Sequence, residues 1–178
     1  MVRLARDPDG LARDIARPMP RPPAPAAARG TRFHAWVESL FGVVPLIDRT
    51  DLAGAADDVL DDEELSALQQ AFLRGPYAGL APHRVEAPFQ LVLGDRVVRG
   101  RIDAVYRTDD GYDVVDWKTG RTSADAVQLA VYRLAWSRVA DVPVERVGAA
   151  FYYVATGRVV RPDDLLDAQG LEELLAGA

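Results

Sequence analysis

Cysteine is absent from the 178 residues. Disulfide frameworks, thiolate zinc sites and iron–sulfur clusters are thereby excluded. Any metal site must be built from carboxylates and the two histidines. Long apolar runs are missing as well: nothing approaches the length of a membrane span. The N-terminus carries Arg3, Arg6, Asp7 and Asp9 with no apolar core of the kind a signal peptide needs. The expected address is the cytoplasm, with no membrane partner. Nor is there an excess of basic charge. A net charge of −6 is not the footprint a free-standing nucleic-acid binder usually shows. An acidic catalytic centre lowers the charge by itself, however, and a phosphate-binding surface can sit on another domain or subunit. Lysine is almost missing: of 21 basic residues only Lys118 is not arginine. Guanidinium is a permanently charged planar fork, whereas an ammonium is compact and can lose its proton when desolvated, so the place where lysine is kept is informative.

The length fits one ordinary domain with a short appendage. Residues 2–17 read as a short helix interrupted by Pro8 and Gly10, and residues 18–29 as an extended proline-rich tether. The expected division is therefore 1–29, the end of a preceding region with its linker, and 30–178, a folded domain that closes a longer polypeptide. From Gly30 the pattern turns helical. Thr31 is the expected N-cap, with Phe33, Trp36, Val37, Leu40 and Phe41 on the core face and His34 on its flank, one turn before Glu38. Residues 43–58 read as loop. The acidic run from Asp61 opens a second helix carrying Leu65, Leu68, Phe72 and Leu73, where acids suit the positive end of the helix dipole.

Three strand-like runs follow, at 84–93, 96–107 and 112–118, separated by Gly94-Asp95 and by Thr108-Asp109-Asp110-Gly111. A two-residue turn at Gly94-Asp95 pairs Leu93 with Arg96 and sets Glu86 opposite Asp103. A four-residue loop at 108–111 pairs Asp103 with Asp116, while a tight Asp110-Gly111 turn pairs it with Lys118. Either way strict alternation puts Asp103, Asp116 and Lys118 on one face. Like charges with Cβ atoms about 5 Å apart across a sheet repel. Lys118 offsets part of that repulsion, and a divalent cation of the Mg²⁺ or Mn²⁺ type would offset the rest. The alternative is a solvated polar face with the acids splayed into water. A helix is expected over 121–140, with Thr122 and Asp125 at capping-box-like spacing, both flanks apolar (Val127, Val131 and Leu134; Leu129, Tyr132, Trp136 and Val139), and Gln128 and Tyr132 one turn apart. A strand over 147–155 and a helix from Asp163 close the chain. The predicted fold class is α/β: a central mixed sheet, made of a three-stranded antiparallel meander plus a strand after a crossover helix, flanked by helices.

Gly100-Arg101-Ile102-Asp103, Asp116-Trp117-Lys118-Thr119-Gly120 and Gln128-Leu129 with Tyr132, preceded by Gly30 to His34 and by Glu86, together resemble the PD-(D/E)XK nuclease superfamily. Within it the likeness is to the C-terminal nuclease domain of RecB-type helicase–nucleases of bacterial double-strand break repair, of the actinobacterial type. The resemblance covers about residues 30 to 160 and implies a restriction-endonuclease-like fold. It also implies metal-dependent hydrolysis of phosphodiester bonds in DNA, in particular single-stranded DNA fed by a superfamily 1 helicase motor. Carried over residue by residue, it makes His34, Asp103, Asp116 and the backbone carbonyl of Trp117 ligands of Mg²⁺ or Mn²⁺, with Glu86 one step behind them. Lys118 would orient and help activate the attacking water, and Gln128 and Tyr132 would position DNA or the lysine. Some relatives carry an iron–sulfur cluster on four cysteines, which this chain cannot hold. Arg99, Arg101, Arg121 and Arg133 are candidate phosphate contacts. Two readings compete: a non-catalytic module that guides DNA or braces a helicase, and a free-standing repair or restriction nuclease.

Overall fold

A computed structural model describes residues 25–42, 62–120 and 124–176. Helices α1 (Pro25–Leu40) and α2 (Asp62–Leu73) precede strands β1 (Arg84–Leu93), β2 (Arg96–Arg107) and β3 (Tyr112–Lys118). Helix α3 (Ala126–Ala140), strands β4 (Val147–Tyr153) and β5 (Arg158–Val160) and helix α4 (Ala168–Ala176) complete the order. The five strands lie side by side in chain order. β1, β2 and β3 form the expected antiparallel meander, β4 runs parallel to β3 after the α3 crossover, and β5 returns antiparallel to β4. This is the α/β architecture with a central mixed sheet that the pattern predicts, and it agrees with the restriction-endonuclease-like fold that the resemblance implies.

The sheet separates two cores. On one face Phe33 and Val37 of α1 and Leu68 and Phe72 of α2 pack on Ala104, Tyr106, Val115, Trp117 and Tyr152. On the other, Leu129, Leu134 and Trp136 of α3 and Leu171 of α4 pack on Phe89, Leu91, Ile102, Val105, Val114 and Phe151. Alternating side chains on central strands feed both cores, which is why β3 reads as a nearly continuous apolar run. An ion pair is set into the first of these faces: Arg161 donates to both oxygens of Asp113, at 2.7 and 2.6 Å.

Several local expectations are corrected. Pro25–Arg29 belong to α1 and not to an extended tether, because proline costs little at a helix start, where its missing N–H has no intrahelical partner. Thr31 is consequently inside the helix and does not cap it. Asp125 caps α3, accepting a hydrogen bond from Val127 N at 3.0 Å, so the helix begins at Ala126; Thr122 lies outside the described residues. Leu40 and Val139, expected in the core, are exposed. β4 ends at Tyr153 and passes into a 3₁₀ turn, Val154–Thr156. β5 was not anticipated, and α4 begins at Ala168 and not at Asp163. The helix at 2–17 and the loop at 43–58 lie outside the described residues.

Phe72 is the hub of the α1–α2 face, with its ring against Phe33, Trp36, Phe41, Trp117 and Tyr152. Phe72→Ala removes all of these contacts and leaves a cavity. The expected loss is about 3–5 kcal/mol of folding stability, read as a lowered denaturation midpoint with an unchanged slope in urea.

Candidate active site

Register brings the site together. The β1–β2 ladder runs from Leu93↔Arg96 to Arg84↔Val105, and the β2–β3 ladder from Arg107↔Tyr112 to Ala104↔Val115. The first fits the two-residue turn, and the second fits the four-residue loop and excludes the tight Asp110-Gly111 turn. Asp103 stands opposite Glu86 at the row that the β1–β2 pairing skips, and one step beyond the β2–β3 ladder it faces Asp116. Strict alternation fails at that row, however. Ala87 and Ile102 face the α3 side, yet Val85 and Ala104, two residues away in each strand, pack on the α1 side. The pleat switches between them, and Glu86 takes a left-handed backbone conformation with φ 49°. A non-glycine residue held there is strained by about 1–3 kcal/mol and persists only where its surroundings enforce it. The switch lets acids from neighbouring strands meet partners from both helical layers.

His34, projecting from α1, lies with Nδ1 3.5 Å from Glu86 Oε1 and 3.7 Å from Asp103 Oδ1. Its Nε2 is 3.2 Å from the Trp117 carbonyl oxygen. The second Asp103 oxygen accepts the Trp117 backbone N–H at 2.8 Å. On the α3 side, Asp116 Oδ2 is 2.7 Å from Lys118 Nζ, and Asp116 Oδ1 accepts from Gln128 Nε2 at 2.7 Å. Gln128 also takes a hydrogen bond from Lys118 Nζ at 2.9 Å and donates to the Tyr132 hydroxyl at 3.0 Å. Two half-sites result, His34–Glu86–Asp103 and Asp116–Lys118–Gln128–Tyr132, joined through the Trp117 backbone. All eight residues singled out in the sequence lie in this one constellation.

The charges are out of water. Asp116 is 2% exposed and Asp103 9%. Burial, then the neighbouring Asp116 carboxylate, pushes Asp103 up to about 7 despite His34 and the Trp117 N–H. Burial raises Asp116 too, against the opposing pull of Lys118. Burial alone would depress His34, but the hydrogen bond to Glu86 and the charges of Asp103, Glu86 and Asp116 outweigh it and lift the imidazole to about 9. Burial first, and then the same two aspartates, raise the Tyr132 hydroxyl. Ligand atoms of His34, Glu86 and Asp103 all lie within 4.8 Å of one another. Two carboxylates and an imidazole at that spacing suit a hard divalent cation, and a cation there would remove the electrostatic cost that raises Asp103.

Two participants escaped the sequence. Phe151 lies beside Asp116 in the parallel β3–β4 pairing, with its ring 5.3 Å from Lys118 Nζ. The Tyr153 hydroxyl accepts the Ala124 N–H at 3.1 Å and ties down the entry to α3. Parallel register leaves no turn signal to read, so neither pairing could be counted from the chain. Of the candidate phosphate contacts, Arg133 is structural: its Nε donates to the carbonyls of Val144 and Val147 and binds α3 to β4. Arg99 donates to Gln90 across the first hairpin, Arg101 is exposed, and Arg121 lies outside the described residues.

A model of the PD-(D/E)XK nuclease superfamily matches residues 6–176. Two curated proteins, both called Gene 69 protein, are similar over 78 residues: that of Mycobacterium phage L5 is 37% identical and that of Mycobacterium phage D29 36%. The match takes in 44% of this chain but only 27% and 29% of the two phage proteins, so the chain spans less than a third of their length. No helix among the described residues is long and apolar enough to cross a membrane.

The raised groups set the pH dependence of stability in the absence of metal. Folded Asp103 keeps its proton from the ordinary aspartate value of 3.8 up to about 7, and folded His34 keeps its own from 6.5 up to about 9. In both windows the folded state binds more protons than the unfolded one, so stability falls as pH rises. The thermal midpoint of chelator-treated protein is expected to drop across that range. Asp103→Asn should flatten the lower part of the curve and raise the midpoint above neutrality. A midpoint that climbs with pH would contradict the assignment.

Proposed function

The chain belongs to the PD-(D/E)XK nuclease superfamily, and on that premise we propose that it is a Mg²⁺- or Mn²⁺-dependent deoxyribonuclease. The observation that carries this reading is the contact of the two half-sites. A group able to hold a cation abuts a lysine fixed by an acid and an amide. His34, Asp103, Asp116 and the Trp117 carbonyl would hold the ion, with Glu86 beside them. Both oxygens of Asp116 are engaged by Lys118 and Gln128, yet each carboxylate oxygen keeps a further lone pair. When bound, the ion polarises the scissile phosphate and lowers the pKa of the attacking water.

The protein's own groups supply the rest. Lys118 Nζ, held between Asp116 Oδ2 and Gln128 Oε1, places an ammonium where water must approach, and orients it while countering the charge that develops on the phosphorus oxygens. Gln128 fixes the lysine and Asp116 together, and Tyr132 fixes Gln128 in turn. The Phe151 ring lies 5.3 Å from Lys118 Nζ and adds a cation–π contact that helps hold the ammonium in place. We further propose single-stranded DNA as substrate, and a cytoplasmic setting as the C-terminal nuclease part of a helicase–nuclease in double-strand break repair and recombination. The resemblance of the Gly100–Asp103, Asp116–Lys118 and Gln128–Tyr132 motifs to RecB-type domains supports it.

A non-catalytic bracing module is the second reading, favoured by the Asp116–Lys118 ion pair and its Gln128 contacts, in which acid and base already offset each other. Nicking assays separate the two. Wild-type protein with Mg²⁺ or Mn²⁺ is expected to cut single-stranded DNA. Lys118→Ala and Asp116→Ala should each lower the rate by about 10²-fold or more, with folding checked by circular dichroism. Wild-type protein that is inert with saturating metal, alone and joined to a motor, would sink the nuclease reading.

A further inference from the structure

Beside the catalytic network, on the α3 face of the sheet, lies an open groove of about 370 Å³, counting space that opens to solvent. Phe89, Val98 and Gly100 of the first hairpin line one side, and Gln128, Val131 and Tyr132 of α3 the other. Phe89 and Gly100 are cross-strand partners. A Cβ at residue 100 would stand 2.9 Å from the ring atoms Cε1 and Cζ of Phe89, so the ring lies directly over glycine backbone. Its edge meets Tyr132, with centroids 5.7 Å apart and planes at 71°. The apolar walls are thus two aromatic rings and two valines, with Arg99 on the hairpin side and Gln128 on the α3 side as the charged and polar groups. This is also the side chain that grips Asp116 and Lys118.

We infer that this groove receives an unpaired nucleobase of the strand being cut, adjacent to the phosphate held at Asp116 and Lys118. The inference rests on the nuclease reading and adds to it the element that selects single strands. Aromatic and aliphatic walls bind the faces of any base by stacking, without demanding a sequence. Continuity decides the occupant: because Gln128 belongs to both the groove and the catalytic network, a strand whose phosphate lies at Lys118 passes the groove mouth with its next base. A base in a duplex enters only by leaving its stack and its partner, at a cost that a free strand does not bear. Phe89, Val98, Gly100 and Val131 are thereby specificity residues, and Tyr132 links occupancy to the position of Gln128.

The test uses the whole chain and an oligonucleotide carrying 2-aminopurine, with Ca²⁺ as the cation for binding measurements and Mg²⁺ for cleavage. Val131→Phe fills the groove from α3, and Val98→Phe fills it from the hairpin in case the first variant misfolds. Wild-type protein is expected to quench 2-aminopurine in the single strand and not in the duplex. The filled variant should lose that quench, bind the single strand about tenfold more weakly, and show a smaller single-strand to duplex cleavage ratio. Equal quenching by wild type and variant overturns the groove, as does an equal proportional loss of cleavage on both substrates. Quenching that depends on the groove in a protein that cuts nothing keeps the groove and sinks the nuclease reading; cutting with a quench indifferent to the groove does the reverse.

Discussion

The hydrogen bond from the Trp117 N–H to the Asp103 carboxylate holds the site together. The backbone ladder between β2 and β3 reaches only to Ala104 and Val115. Beyond it, a side chain does the joining. The Asp103 oxygen takes the backbone donor that the ladder leaves without a strand partner, so Asp103 is fixed in space while it remains near Glu86, Asp116 and His34. Replace that acceptor by an apolar group, and the Trp117 N–H loses its partner and the two half-sites lose their joint. The chemistry of the centre and the integrity of the sheet at this row therefore depend on one carboxylate.

Around that bond, the two cores have separate tasks. The α1–α2 face, through Phe33, Phe72 and the buried Trp117 ring, places His34 against the acids. The α3 face, through Leu129, Leu134 and Phe151, places Gln128 and Tyr132 against Asp116 and Lys118. Burial on both sides lowers the effective dielectric, which raises the cost of the clustered acids and also strengthens each of their partnerships. The strained Glu86 backbone belongs to the same balance: a conformation that an ordinary strand would not tolerate is held because three elements converge there.

Much of this was legible in the chain, because antiparallel hairpins advertise their own register. Gly94-Asp95 and the 108–111 loop could be counted through to Glu86, Asp103 and Asp116, and all three strands of the meander have the bounds that the pattern predicts. The count assumed a regular pleat, and the pleat is irregular at the one row that matters. No propensity announces that Glu86 will take a positive φ, since the cause is tertiary. β5 is only three residues long, too short for any alternation to show. Phe151 beside Asp116 depends on a parallel pairing that no local turn specifies. Asp125 and the helical Pro25–Arg29 segment were missed differently, by giving a threonine and a run of prolines more weight than the geometry of a helix start allows.

The hydrogen bond between His34 and Trp117 spans 83 positions of the chain, and this separation has a kinetic meaning. Asp103 and Asp116 are brought together by a hairpin, an event of about 1–10 μs. His34 joins them only where α1 docks across the sheet, and Lys118 meets the Phe151 ring through the crossover that sets β4 beside β3. Contacts of high sequence separation carry the larger loop-closure cost. The acids are thus joined by short loops and the imidazole by a long one, so loosening α1 from the sheet removes His34 while the hairpins keep Asp103 and Asp116 together.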